Sequence, residues 1–68
     1  MLIIDLKEMG TKCKEFRVSA GMLQIDVANE TGYSLENISA FENGRNDNSR
    51  ILLWYLAYGM NVNELIGG

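Results

Sequence analysis

Residues Gln24 to Gly44, QIDVANETGYSLENISAFENG, decide the fold, because they read as two short helices joined by a tight turn. Val27, Ala28 and Thr31 recur at helical spacing and give the first helix its inner face. Gly32 stops it, since glycine adopts a left-handed backbone without a side-chain penalty, and Tyr33 continues the turn. Ser34 is a natural N-cap for the second helix, its hydroxyl taking one of the backbone N–H groups that a helix start leaves unpaired. Ile38 and Phe41 form the inner stripe of that helix, and Gly44 sits where a helix commonly ends in a left-handed residue. The unit is helix, turn, helix, and the remaining chain serves to hold it rigid.

Upstream, Asp5 with Glu8 three residues later has the form of a capping box, and Ile4 is placed to pack on Met9 as a hydrophobic staple. The helix this opens is amphipathic to about Ala20, with Leu6, Met9, Cys13, Phe16 and Ala20 on one face and Lys7, Lys12, Lys14 and Glu15 on the others. Gly10 inside it is expected to cost up to about 1 kcal/mol relative to alanine and to let the first turn fray. Cys13 reads as a small apolar filler, since the sequence holds no His or second Cys to activate it.

Downstream, the polar loop Arg45-Asn-Asp-Asn-Ser leads to a fourth helix capped by Asn48 or Ser49. Ile51, Leu52, Trp54, Tyr55 and Tyr58 are too many apolar residues for one narrow stripe, so part of this helix is expected to face something besides its own core. Asn61 with Glu64 opens a short fifth helix carrying Val62, Leu65 and Ile66, after which Gly67 and Gly68 have nothing to bury. The expected architecture is an all-α, compact five-helix bundle forming one domain over residues 1–68, with helices at about 6–20, 24–31, 35–43, 50–58 and 62–66.

Composition narrows the function classes. A chain of 68 residues with 47% hydrophobic content can bury one thin core and leaves no room for a second domain. A single Cys and no His argue for a reducing, cytoplasmic setting and against the usual zinc sites, so no metal or cofactor is expected. The apolar run Leu2-Ile-Ile4 is too short for a signal peptide, and Ile51 to Met60 is about half of the roughly 20 residues that a membrane-spanning helix needs. The sequons at Asn29 and Asn37 fall inside helices and read as chance. Without His, clustered carboxylates or a phosphate-cradling glycine loop, no catalytic constellation can be assembled, and an enzyme is not expected.

Gln24 and Ala28, the turn Gly32-Tyr-Ser34, Ile38 and Phe41-Glu-Asn-Gly44 together resemble the helix-turn-helix of the lambda-repressor-like family of phage repressors and Cro proteins. Lys14-Glu-Phe-Arg17 resembles the end of that family's first helix, and Gly59-Met-Asn-Val-Asn-Glu-Leu-Ile66 its closing segment, so the likeness covers nearly the whole chain. The resemblance implies that the helix from Leu35 to Asn43 enters the major groove of double-stranded DNA, while the helix before it lies across the backbone. It assigns Leu35, Glu36 and Ala40 to the base-facing positions. It assigns phosphate contact to Gln24, to the backbone N–H groups near Asn43 and Gly44, and to Arg45. It also pairs Arg17 with Glu42 as a partly buried, structural ion pair between the first helix and the recognition helix.

Three features pull away from a generic DNA reader. Leu35, Glu36 and Ala40 stand where the family often has Gln, Arg, Ser or Thr, which leaves thymine methyl groups for Leu35 or Ala40 and the cytosine N4 amine for Glu36. The chain carries 6 basic and 9 acidic residues, net −3, whereas phosphate binding draws on Lys and Arg. Leu23 also replaces the Ser or Thr that normally caps the motif's first helix, forfeiting about 1 kcal/mol. Two functions from different classes therefore stand side by side. One is a sequence-specific transcriptional repressor acting as a homodimer on a two-half-site operator, its interface drawn from Trp54, Tyr58, Met60, Val62 and Ile66, which exceed what one small core absorbs. The other is a protein-binding module, an antirepressor or an inhibitor of a nucleic-acid enzyme, that keeps the fold and uses its acidity toward a basic target.

Overall fold

The first helix packs against the C-terminal end of the third through a glycine. A computed structural model describes residues 5–61 and Asn63 of the chain. Those residues are helical, with no strand among them: α1 is Leu6–Ser19, α2 Gln24–Thr31, α3 Leu35–Glu42 and α4 Ser49–Tyr58. The helices at 6–20, 24–31, 35–43 and 50–58 thus form within a residue of their expected ends. Four helices are described, not five. The fifth, expected over 62–66, lies outside the described residues save Asn63, whose N–H is held by the Asn61 side chain at 2.8 Å.

Each start has an identifiable cap. Asp5 accepts from the N–H groups of Lys7 and Glu8 at the head of α1, at 2.8 and 3.3 Å; the staple expected at Ile4 lies outside the described residues. Ser34 accepts from Asn37 at the head of α3, and Asn48 from Arg50 and Ile51 at the head of α4. At α2 the leucine at the capping position has no side-chain acceptor, but the Asp26 carboxylate reaches back to the Leu23 N–H at 2.8 Å. Half of a capping box is therefore retained, which offsets part of the loss expected from Leu23.

The buried core is Met9, Cys13, Val27, Ala28, Ile38, Phe41, Ile51, Tyr55 and Met60, drawn from all four helices and the turn after α4. Tyr55 is central to it, stacked on Phe41 with ring centroids 6.3 Å apart and meeting Phe16 edge-on at 6.2 Å. The inner face of α1 matches the expected one in part. Met9, Cys13 and half-buried Phe16 face inward and are joined by Gly10 and Arg17, while Leu6 is 40% exposed and Ala20 lies outside the helix on the surface. Close approach explains the difference. A Cβ on Gly10 would stand 2.4 Å from the Phe41 carbonyl oxygen and 2.6 Å from that of Glu42. Gly10 is thus a contact surface and not a weak point, because only a bare backbone lets α1 come this near α3.

Met60 also departs from expectation. Gly59 takes a positive φ of 136°, and the Met60 N–H turns back onto the Tyr55 carbonyl at 3.0 Å, the wide hydrogen bond of a glycine-ended helix. Such an ending brings the residue after the glycine against the last turn, so Met60 is 4% exposed and belongs to the core, not to an outer face. Among the described residues no helix is long and apolar enough to cross a membrane.

Candidate functional site

Two sides of α3 do different work. Ile38 and Phe41 are fully buried on the inner side, and Glu42 beside them is 4% exposed. A carboxylate so placed must have its charge met, since an unpaired buried ion costs several kcal/mol. Four donors meet it. Arg17 donates through Nε to Oε2 at 2.8 Å and through Nη2 to Oε1 at 3.1 Å, a two-pronged pair that uses the planar fork of the guanidinium. The Tyr55 hydroxyl donates to Oε2 at 2.9 Å, and the Gln24 side-chain amide to Oε1 at 3.0 Å. Arg17 spends its remaining Nη1 on the Met22 carbonyl at 2.8 Å, tying down the loop between α1 and α2. No buried side-chain polar atom among the described residues lacks a partner.

This network joins all four helices at one point, with Arg17 from α1, Gln24 from α2, Glu42 from α3 and Tyr55 from α4. The electrostatics follow. The hydrogen bond to Glu42 raises the Arg17 pKa above its ordinary value, and burial, reinforced by the Glu42 charge, raises that of Tyr55. Burial first and Glu42 second push the Cys13 thiol up to about 12. Cys13 is fully buried and protonated at neutral pH, an inert filler.

The outer side of α3 is open. Leu35, Glu36, Ser39 and Ala40, with Gln24 from α2 and Arg45 from the following loop, line a shallow concavity of about 430 Å³. The structure thereby gathers five of the residues singled out in the sequence, namely Gln24, Leu35, Glu36, Ala40 and Arg45. Ser39 joins them unforeseen, although its spacing was a sufficient signal: four residues after Leu35 and three after Glu36, it shares their helical face. The turn that aims this face is rigid. Gly32 is left-handed at φ 79°, the Thr31 hydroxyl accepts from the Tyr33 N–H at 3.3 Å, and Ser34 caps α3.

Other expected positions fall elsewhere. The Asn43, Gly44 and Arg45 N–H groups bond to the Ser39, Phe41 and Ala40 carbonyls at 3.0, 3.1 and 2.8 Å, closing α3 on itself. The backbone donors expected at Asn43 and Gly44 are therefore already spent, and the Asn43 amide donates to the Ser39 carbonyl at 2.8 Å. Gly44, at φ 74°, packs so close to α1 that a Cβ would lie 2.6 Å from the Lys7 Cα. Gln24 is likewise committed through one amide bond to Glu42, which makes it part of the frame as well as of the concavity. Of the expected interface set, Tyr58 is 53% exposed and stacks on half-buried Trp54 at 5.1 Å, and Met60 is core. Val62 and Ile66 lie outside the described residues.

No three His, Cys, Asp or Glu side chains among the described residues are grouped to hold a metal ion. The concavity offers one cation, Arg45, one anion, Glu36, and apolar and hydroxyl surface between them. No family model matches the chain, and neither curated proteins nor solved structures give a match.

Proposed function

We propose that this chain is a sequence-specific DNA-binding transcriptional regulator, a repressor of phage or bacterial type, in which α2, the turn and α3 work as a helix-turn-helix. In this reading α3 enters the major groove, α2 lies across the backbone, and two copies bind two half-sites about one helical turn apart. The observation that carries it is the division of α3 between an anchored inner side and an open outer side. Glu42 fixes the helix from within through four hydrogen bonds, while Leu35, Glu36, Ser39 and Ala40 stand clear of the core beside Arg45. A helix held this firmly presents its outer residues to a duplex without further ordering cost. Arg45 is the phosphate-gripping residue, Glu36 accepts from a cytosine N4 amine, and Leu35 and Ala40 cover thymine methyl groups. Such a regulator acts as a homodimer in the cytoplasm, needs no cofactor and is no enzyme.

Fluorescence anisotropy with random and selected duplexes tests this. Arg45→Ala should weaken binding to every sequence by similar factors, because phosphate contacts position without reading. Leu35→Ala or Glu36→Ala should instead change which sequence is preferred, at about 1–3 kcal/mol per lost base contact. Gln24→Ala must be compared at matched folded fraction, since it also removes a donor from Glu42. If no duplex binds more tightly than about 10 micromolar at low salt, weaker than specific binding requires, the regulator reading fails.

A second reading is favoured by one specific feature. Leu23, Ile25 and Leu35 are 65%, 44% and 45% exposed at the α2 start and on α3, and the concavity there holds a single cation on a chain of net charge −3. Apolar side chains in an acidic setting suit a protein-binding module that engages a basic, nucleic-acid-binding target. In that case Leu23→Ser, Ile25→Ser and Leu35→Ser abolish capture of the protein target while Arg45→Ala leaves it intact.

A further inference from the structure

A second groove, of about 460 Å³, lies between α2 and α4 on a different set of residues from the concavity at α3. Its apolar surface comes from Leu53, Trp54 and Ala57 of α4, with Leu53 60% exposed. Glu30 of α2 stands on one wall and Arg50 of α4 on the other. Both are exposed, and neither has an ion partner among the described residues, where the one salt bridge joins Arg17 to Glu42. An exposed leucine beside the chain's single tryptophan, framed by one acid and one base, has the form of an interface: apolar centre, polar rim.

We infer that a second copy of this chain docks in the α2–α4 groove about a two-fold axis, with Glu30 of each copy paired to the partner's Arg50. Charge selects this occupant. A basic partner would satisfy Glu30 and repel Arg50, an acidic one the reverse, whereas a two-fold rotation brings opposite charges together twice and closes the assembly at two chains. The apolar residues of α4 then meet their own counterparts across the axis. Among the described residues of the set expected from sequence, Trp54 lines this groove, Tyr58 lies off it and Met60 is folded into the core. The inference rests on the regulator reading for the use of two copies, and the face itself is read from the groove alone.

Light scattering without DNA, at tens of micromolar, is the test. The wild type should run at the mass of two chains. Glu30→Arg and Arg50→Glu should each run as one chain, because each places like charges opposite one another. Mixed in equal amounts, those two variants should return the two-chain mass, since each then supplies what the other lacks. Trp54 emission should shift to shorter wavelength as wild-type concentration rises and stay fixed for Arg50→Glu. Leu53→Asp, at an exposed position that does not touch folding, should also give one chain. A one-chain wild type, a dimer that survives both charge reversals, or a mixture that stays at one chain would each overturn the inference. Because mass is read without DNA and duplex binding is read at α3, loss of the regulator reading alone leaves these results unchanged.

Discussion

Gly10→Ala should destabilise the fold although alanine is the better helix former. Gly10 is buried, and a Cβ there would lie 2.4 Å from the Phe41 oxygen, 2.6 Å from the Glu42 oxygen and 2.8 Å from the Glu42 carbonyl carbon, all of them backbone atoms. No side chain can swing aside, so α3 must retreat by about 1 Å to restore ordinary contact. That retreat acts on the Arg17–Glu42 bond at 2.8 Å and on fully buried Phe41. The gain in helix propensity is at most about 1 kcal/mol. Overpacking costs about 1–3 kcal/mol and more where the backbone itself must move. The expected net loss is about 2 kcal/mol, or about 8–16 °C in Tm for a domain of this size. Urea and thermal melts followed by circular dichroism measure it. Thr11→Ala, at the next, exposed position, should stay within about 0.5 kcal/mol of wild type. A Gly10→Ala variant as stable as wild type would show that α1 and α3 stand further apart than described.

Arg17→Ala should cost about 3–5 kcal/mol in urea melts, because it leaves Glu42 buried with its strongest partner gone, whereas Lys14→Ala on the exposed side of α1 should leave the midpoint in place. Tyr55→Phe keeps the packing and removes one donor from Glu42, so it should cost about 1–3 kcal/mol with an unchanged slope against urea. Cys13 should resist thiol reagents at pH 8 until urea unfolds the chain. Its thiol rises from 9.0 to about 12 on folding, so the folded state keeps a proton that the unfolded chain releases. Stability is then full below about pH 9 and falls as pH climbs toward 12, with the raised Tyr55 adding to the fall; a urea midpoint constant from pH 8 to 11 would contradict this.

Backbone punctuation was legible in the sequence because capping and stopping are local chemistry. Asp5, Ser34 and Asn48 cap the helices they precede, and Gly32 and Gly44 end them. The inner residues of the central pair were legible for a related reason, since Ile38 and Phe41 recur at helical spacing with no competing face. What was missed depends on contacts distant in sequence. Gly10 carries no local sign that α3 will lie against it, so propensity alone misread it as a weakness. Tyr55 looked like one aromatic among several, because its hydroxyl acquires meaning only where Glu42, 13 residues earlier, comes within 2.9 Å. Met60 is expected outside because a helix stop at Gly59 does not by itself show that the next N–H turns back onto the Tyr55 carbonyl.

On the proposed regulator reading, the same network that fixes α3 would limit how a duplex is held there. Glu42 absorbs both Arg17 and the Gln24 amide, and α3 closes on the N–H groups of Asn43, Gly44 and Arg45, so the Arg45 side chain is the one charged donor left along the concavity. If α3 reads DNA as proposed, affinity at this face must come more from base contacts than from phosphate neutralisation. The salt dependence should be shallow. With Arg45 as the one cation at the concavity and a slope of about −0.9 for each phosphate neutralised, log affinity against log salt should fall with a slope of about −1 per subunit. A titration at four salt concentrations gives the number directly. A steeper slope would mean that Lys7, Lys12, Lys14 or Arg50 also faces the duplex.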